Sequence, residues 1–594
     1  MNMNAVRLSH YPADPEFLDA CDSLGLYVLC ELPGWHRAHE TIAGRQIAEE
    51  MVVRDVNHPS ILFWSNGNEG GFNYELEPVF SRLDPQGRVV LYPWSNCNGF
   101  ETKHYRSWGE TAEFMRHKEL FMPTEFLHGL YDGGHGAGLK DYWQLMMSNP
   151  RCVGGFLWDL MDQGVVRTDQ DGLIDCVGNF GSDGIVGPHM EKEGSFYTIR
   201  ELWCPIQLTV SEGTMTLYNG YDFTNLADCQ MSYRYLVMPD YGKSTEQEAA
   251  QGALKLPCVE PGGQTTIVLP VLKARADVLE LTVCDPMGET VGAWRIVLPG
   301  DKPAKAAAVA SQPSLAERET ADTLEVTVGN CTYVFSKQSG LLVSVRTGHS
   351  TLSFGNGPRF VAAKRSDRSQ DGFYNHDDKK AFDKKTQYTE YADEGSFSGF
   401  EWNSQRTVLT ASYKHGSMEK VAWTFLADGR VELAAKYNFN GVVDLMGIAF
   451  DYPEAHVRQK QWVGRGPYRV WQNRMEGPQY GYWQTDYNDP VPGESWEYPE
   501  FKGYFADVKW MLLKTDEGQI GISPQQPENY VGIYHPRDGR DHILYDLPAT
   551  GIALLDVIPA VRNKVNTTDL NGPSAQPKWV TGQHCIGATL TFGQ

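Results

Sequence analysis

The sequence predicts a multidomain protein that is α/β at its start and all-β afterwards. The expected order is a (β/α)8 TIM-type barrel lacking its first strand, an immunoglobulin-like β-sandwich, and a large C-terminal β-sandwich. Three observations point there. The chain has 594 residues, too many for one hydrophobic core and enough for roughly two to four domains. Over residues 1–204 short apolar runs alternate with helix-like segments, the pattern of a parallel sheet covered by helices. From residue 205 onward the runs are short, alternating and separated by turn signals, as in antiparallel sandwiches.

Taken in order, Met3–Leu8, Leu26–Glu31, Ser60–Ser65, Arg88–Trp94, Leu120–Glu125 and Gly154–Asp159 read as strands, with Lys103–Ser107 a weaker one. Between them Asp14–Ser23, Thr41–Val56 and Leu139–Met147 have helical spacing, the second stopped by Asn57-His58-Pro59. Seven strands at this spacing suit a barrel with one strand missing better than an open nucleotide-binding sheet. No Gly-rich loop follows the first strand to cradle a phosphate. Ile206–Val210, Met215–Tyr218, Met231–Leu236, Thr265–Val271 and Val278–Val283 place the small sandwich at 205–300. Residues 301–320, rich in Ala, Pro and Lys and without an aromatic, read as a linker. Leu324–Val328, Tyr333–Ser336, Val431–Phe439, Gln519–Ile522 and Gly551–Ile558 mark 321–594 as one large sandwich.

Composition narrows the function. With 52 Lys and Arg against 75 Asp and Glu, the formal charge is −23. A phosphate backbone would repel such a chain, so sequence-independent nucleic-acid binding is excluded as an expectation. Hydrophobic content of 41% and charged content of 21% argue against general disorder. No apolar window is long enough to span a membrane, and the N-terminus lacks the layout of a secretory signal. Eleven dispersed cysteines without a CxxC pair read as reduced thiols, so a cytoplasmic location is expected. Aromatic content is 12%, with 16 Trp and 29 Tyr, which either fills β cores or stacks on sugars.

In such a barrel the chemistry sits at the C-terminal ends of the strands. The Ser60–Ser65 strand runs into Asn66-Gly67-Asn68-Glu69-Gly70-Gly71, a carboxylate among glycines that let backbone approach a ligand. The Leu120–Glu125 strand ends Met122-Pro123-Thr124-Glu125, with His128 just beyond. Two glutamates at separate strand tips meet the needs of glycosidic bond cleavage: one protonates the leaving oxygen, the other meets the developing oxocarbenium ion. Two solvated surface glutamates are the alternative. Arg7, at the tip of the first strand, either holds a carboxylate ionised or closes the barrel end in a salt bridge. Trp158 is either a sugar platform or barrel core.

Asn4–Pro12 (NAVRLSHYP), Tyr27–Glu31, Asn57-His58-Pro59-Ser60, Trp64–Glu69 (WSNGNE), Thr124–His128 (TEFLH) and Gly154–Gln163 (GGFLWDLMDQ) resemble the barrel of glycoside hydrolase family 2. The sandwiches that follow, with Val463-Gly464-Arg465-Gly466-Pro467, resemble the last two domains of the family's large bacterial β-galactosidases. The resemblance implies Glu69 as acid/base and Glu125 as nucleophile of a retaining double displacement. It implies that Asn68 holds the sugar 2-hydroxyl, that His10 and His128 contact sugar hydroxyls, that Trp158 lies under the ring, and that Tyr105 bonds the nucleophile. Charge on Glu125 is expected to raise the pKa of Glu69. The implied reaction is release of terminal β-D-galactose from β-galactosides such as lactose. Another family 2 exo-glycosidase, acting on glucuronides or plant polysaccharides, is the alternative, as is a split chain inactive without its N-terminal part.

Three departures from the family stand out. Glu69 follows the third visible strand where the family has the fourth, so one strand and the preceding N-terminal domains are expected to be absent. The family's magnesium is held partly by a Glu-x-His pair, whereas Glu31-Leu32-Pro33-Gly34-Trp35-His36-Arg37-Ala38-His39-Glu40 lacks that spacing. A magnesium site from Glu69 and Glu31 with His36 (or His39) and a metal-free site both remain open. Asp183 stands near the place of a sodium-binding asparagine, which leaves Na+ doubtful. No organic cofactor is expected. The implied partners are a β-galactoside or oligosaccharide substrate and a homo-oligomer or separate N-terminal fragment.

Overall fold

Parallel pairing starts at the N-terminus of the computed structural model: β1 (Ala5–Arg7), β2 (Tyr27–Trp35), β3 (Ile61–Asn68) and β4 (Val89–Leu91) form one sheet in that order. The structure describes residues 1–594 except 130–133, 177–180, 273, 300–312, 349, 366–387, 487–502, 535–547, 549, 567 and 594. Beyond β4, a short hairpin of β5 (Asn96–Cys97) and β6 (Phe100–Glu101) leads to β7 (Leu120–Phe121), which lies parallel to β6. The series continues in single parallel bridges, Phe121 to Cys152, Phe126 to Leu157 and Met161 to Val186. Gly154–Asp159, expected as a strand, joins only through these bridges and is not a regular strand.

Helices α1 (Pro15–Leu24) and α2 (Thr41–Asp55) cover the sheet, followed by α3 (Glu77–Leu83), α4 (Trp108–Phe114), α5 (Leu139–Met147) and α6 (Gly194–Leu202). The ends of α1 are written locally. Proline occupies its first turn, and Gly25, at φ 72°, closes it with its N–H on the Cys21 carbonyl. The apolar faces of α1 and α2, through Leu18, Cys21, Ala48, Met51 and Val52, meet Val28, Cys30, Ile61 and Trp64 of the strands in one buried cluster. Lys103–Ser107 is not the weak strand expected. Ser107 caps α4 reciprocally with Glu110, and Tyr105 sits at φ 51°, so the segment turns where an extended run would pair.

Contacts divide the chain into two compact units. One comprises Met1–Trp203 with Arg562–Ala575, the other Cys204–Val561 with Gln576–Gln594. The assignment of Arg562–Ala575 to the first unit departs from the sequence expectation, which kept all of 321–594 together. No hydrophobic period marks that segment as belonging elsewhere.

In the second unit, a three-stranded sheet and a four-stranded sheet between residues 206 and 297 enclose one apolar cluster. An eleven-stranded and a nine-stranded sheet supply a larger core around Tyr333, Phe335, Trp423, Trp462 and Phe450. The expected linker is corrected in part. Residues 301–312 lie outside the described residues, but Leu315–Glu319 is a strand at the edge of the eleven-stranded sheet. It is almost wholly exposed, so it carries none of the apolar alternation that betrays a strand in sequence. Among the described residues, no helix is long and apolar enough to cross a membrane.

Candidate active site

Four strands of the parallel series supply the centre of the first unit, from positions within a strand or just beyond its end. Arg7 closes β1, Glu31 lies in β2, Asn68 closes β3 with Glu69 after it, and Glu125 follows β7. Beyond Asn68 the chain turns sharply. Gly67 is at φ 82°, and a Cβ there would fall 2.2 Å from the Gly71 carbonyl oxygen. Only glycine lets β2 and β3 close up behind Glu69 in this way.

Arg7 is the hub. Its Nη1 donates to Glu125 Oε1 at 2.7 Å, its Nη2 to Asn68 Oδ1 at 2.7 Å, and its Nε to Glu31 Oε2 at 2.9 Å. Burial alone would lower its pKa, but Glu31 and Glu125 hold it above the ordinary arginine range. Of the two sequence alternatives for Arg7, a guanidinium beside a strand-tip carboxylate and a salt bridge at the barrel end, the structure contains both. The Tyr105 hydroxyl also donates to Glu125, at Oε2. Burial and then the Glu125 charge push that hydroxyl's pKa well up, so it stays a donor.

Glu69 is held from two sides. Its Oε1 lies 3.0 Å from His104 Nδ1, and its Oε2 accepts from Trp35 Nε1 at 3.0 Å. His104 Nδ1 is also 3.5 Å from Glu125 Oε2, and its Nε2 is 2.9 Å from Thr124 Oγ1. One ligand atom each of Glu69, His104 and Glu125 lies within 4.8 Å of the others. The expected upward shift of Glu69 is reversed. Burial pushes its carboxyl up, but the bonds from His104 and Trp35 and the charges of His104 and His36 bring it down to about 2.

The third wall is aromatic. The His10 ring stacks on Trp158 at 5.2 Å between centroids and lies parallel to Trp35 at 6.1 Å. Trp158 Nε1 donates to Asp183 Oδ2 at 2.9 Å, and His128 Nε2 lies 3.7 Å from the same oxygen. Burial raises the carboxyls of both Asp183 and its neighbour Asp159, and the charge of Asp183 adds to the rise at Asp159. Lys564, from Arg562–Ala575, completes this wall with Nζ 2.9 Å from His128 Nε2.

All the substrate-site residues named from the sequence therefore stand around one mouth: Arg7, His10, Asn68, Glu69, Tyr105, Glu125, His128 and Trp158. The magnesium set does not come together. Both Glu31 oxygens are taken, by Arg7, by His10 Nδ1 at 2.9 Å and by Ser65 Oγ at 3.0 Å. His36 approaches Glu69 at 3.6 Å, but from the exposed side. Glu31, His36 and Glu69 thus do not fit a magnesium ion, because Glu31 is committed to the guanidinium. Sequence reading missed His104, Trp35 and Lys564. His104 had one available signal, its place beside Tyr105 three residues after β6.

Residues 1–184 match the description "Glycosyl hydrolases family 2, TIM barrel domain", and residues 327–548 match "Beta galactosidase small chain". Residues 1–184 therefore carry the barrel domain of glycosyl hydrolase family 2. A beta-galactosidase of Priestia megaterium is 24% identical over 633 residues, covering 92% of this chain and 57% of the relative. One of Aeromonas hydrophila is 24% identical over 597 residues, covering 87% and 56%. Among solved structures, a family 2 member from Bacteroides cellulosilyticus matches with 16% identity and a TM-score of 0.27, over 73% of this chain and 55% of that one. The chain spans a little over half the length of the curated relatives it matches.

Proposed function

We propose that this chain is a retaining glycoside hydrolase that releases terminal β-D-galactose from β-galactosides. The observation that carries the reading is the pair of glutamates at two strand tips, with carboxylate oxygens within 4.8 Å. That spacing suits attack by one carboxylate directly, since inverting enzymes need about 6.5–9.5 Å to seat a water. Low identity to beta-galactosidases along most of the chain supports the choice of sugar.

In this reading Glu125 Oε attacks the anomeric carbon as the bond to the aglycone oxygen breaks. Arg7 and Tyr105 fix its orientation through hydrogen bonds to its two oxygens. Glu69 delivers a proton to the leaving oxygen. A bound sugar that drives water from the mouth strengthens the desolvation that pushes the Glu69 carboxyl up toward its acid form. In the second half Glu69 takes a proton from water, whose oxygen bonds to the anomeric carbon and frees Glu125. Asn68, steadied by Arg7, is placed for the 2-hydroxyl, Trp158 for the apolar face of the ring, and His10 for a hydroxyl above it. No step passes through a magnesium ion on Glu31, whose oxygens are committed elsewhere.

We further read residues 1–204 as a (β/α)8 barrel without its first strand, 205–300 as an immunoglobulin-like sandwich and the β region after 320 as one large sandwich. Eleven dispersed cysteines without a CxxC pair support a reducing, cytoplasmic setting. Hydrolysis of a panel of nitrophenyl β-glycosides tests the activity. Turnover of the galactoside above the glucuronide and mannoside is expected, and glucuronide preference would overturn the choice of sugar.

A further inference from the structure

One cation in the mouth comes from none of the parallel strands. Lys564 belongs to Arg562–Ala575, far along the chain from every other residue of the site, yet inside the first unit. Neighbouring contacts fix the segment there: Asn566 Nδ2 donates to the Tyr105 carbonyl at 3.2 Å, and Ser574 Oγ donates to Asp141 Oδ2 at 2.6 Å. The ammonium lies 2.9 Å from His128 Nε2, and that nitrogen lies 3.7 Å from Asp183 Oδ2. The same carboxylate takes the Trp158 indole N–H, and the His128 ring lies 5.5 Å from the Tyr105 ring, whose hydroxyl bonds Glu125. Ammonium, imidazole, carboxylate and indole thus form one continuous wall leading to the nucleophile.

The chemistry of this wall is specific. Burial and the Lys564 charge push His128 well below the ordinary histidine range, so the ring is neutral and its Nε2 accepts from the ammonium. Burial lowers Lys564 itself to about 8, against the charges of Asp183, Glu125 and Glu69. Placing an ammonium here costs desolvation that a solvated lysine would avoid. An ammonium offers three donors and a carboxylate only acceptors, so the two together match a hydroxyl, which accepts one hydrogen bond and donates another.

We propose that Lys564 and Asp183 jointly bind one hydroxyl of the sugar ring lying against Trp158, the ammonium donating to its oxygen and the carboxylate accepting its proton. The proposal rests on the glycosidase reading and adds to it the residues that select the sugar. A uronate carboxylate in this place would meet one ammonium but the carboxyl groups of Asp183, Asp159 and Glu125 as well. The wall therefore selects neutral hexosides over uronides.

Calorimetric titration of the full chain with D-galactose, its monodeoxy analogues and D-galacturonic acid tests this, in the parent and in Lys564→Met and Lys564→Gln. The parent should bind galactose more tightly than galacturonate. Lys564→Met should weaken galactose binding on the order of ten- to a hundredfold, the range for a hydrogen bond to a charged group. Lys564→Gln, which keeps a donor, should fall between. One deoxy analogue should lose a similar factor in the parent and almost none in Lys564→Met, because the partner of that hydroxyl is already gone. Equal binding by parent and folded variants overturns the role of Lys564 and leaves the glycosidase reading standing. Tighter binding of galacturonate by the parent overturns the neutral-sugar selection, and this needs no variant to fold. A parent that binds none of these sugars overturns the glycosidase reading together with the proposal.

Discussion

Tryptophan serves different ends in the core of the large β region and at the candidate site. In the second unit Trp423 and Trp462 are fully buried among Phe, Tyr and aliphatic side chains. Trp462 Nε1 donates to the Arg465 carbonyl, and Trp423 Nε1 has no hydrogen-bond partner among the described residues. In the first unit Trp35 is 59% exposed and Trp158 is partly exposed, and each indole N–H donates to a carboxylate, Glu69 or Asp183. The difference teaches how to divide an aromatic-rich sequence. Volume and shape decide the first pair, whereas ring face and N–H both have assignments in the second.

The largest effects should break that comparison at the site. Glu125→Gln should lower kcat at least about a thousandfold while leaving the melting temperature near that of the parent, since it removes the attacking carboxylate. Retention of more than a tenth of parent activity would remove Glu125 from the role. Glu69→Gln should cost about a hundred- to ten-thousandfold on glycosides with poor leaving groups and far less on activated nitrophenyl glycosides. Equal losses on both would argue against proton donation by Glu69.

Exchanging the two kinds of tryptophan sharpens the contrast. Trp423→Ala should destabilise the protein by about 3–5 kcal/mol, the range for emptying an aromatic core site. It should leave KM of the folded fraction unchanged. Trp158→Ala should do the reverse, raising KM roughly tenfold, in line with about 1.4 kcal/mol of lost ring contact, with a small change in denaturation midpoint. A Trp158→Ala protein that melts early but keeps its KM would make that indole core.

The smallest expected effect is in pH dependence. A general acid works while protonated, so the rate falls as pH rises through its pKa. The bond and charge from His104 help hold Glu69 down at about 2. His104→Gln removes the charge, so Glu69 should rise and the alkaline limb of kcat/KM should move to higher pH. Movement to lower pH would contradict the pairing of His104 with Glu69.

Much of this site was legible in the sequence because strand tips carry it. Once β1, β3 and β7 are recognised, Arg7, Asn68, Glu69 and Glu125 fall at known positions relative to their strands, and a strand is a local property. Lys564 was not legible. It lies 436 residues beyond its neighbour His128, and no periodic pattern ties an irregular segment late in a β region to a parallel sheet at the start. Leu315–Glu319 escaped for another reason, since an exposed edge strand has no apolar face to show. Glu69 stands just beyond β3 as the strand pattern predicts, yet its pKa shifts opposite to expectation, because His104 and Trp35 reach it from the loop after β6 and the end of β2.

The central claim is that Glu125 is the residue that bonds to the sugar. Incubation of the full 594-residue chain with an activated 2-deoxy-2-fluoro-galactoside, followed by peptide mass spectrometry, tests it most directly. A fluorogalactosyl adduct on Glu125 is predicted, absent from Glu125→Gln. An adduct on Glu69 or elsewhere, or none on a chain that hydrolyses nitrophenyl galactoside, would contradict it.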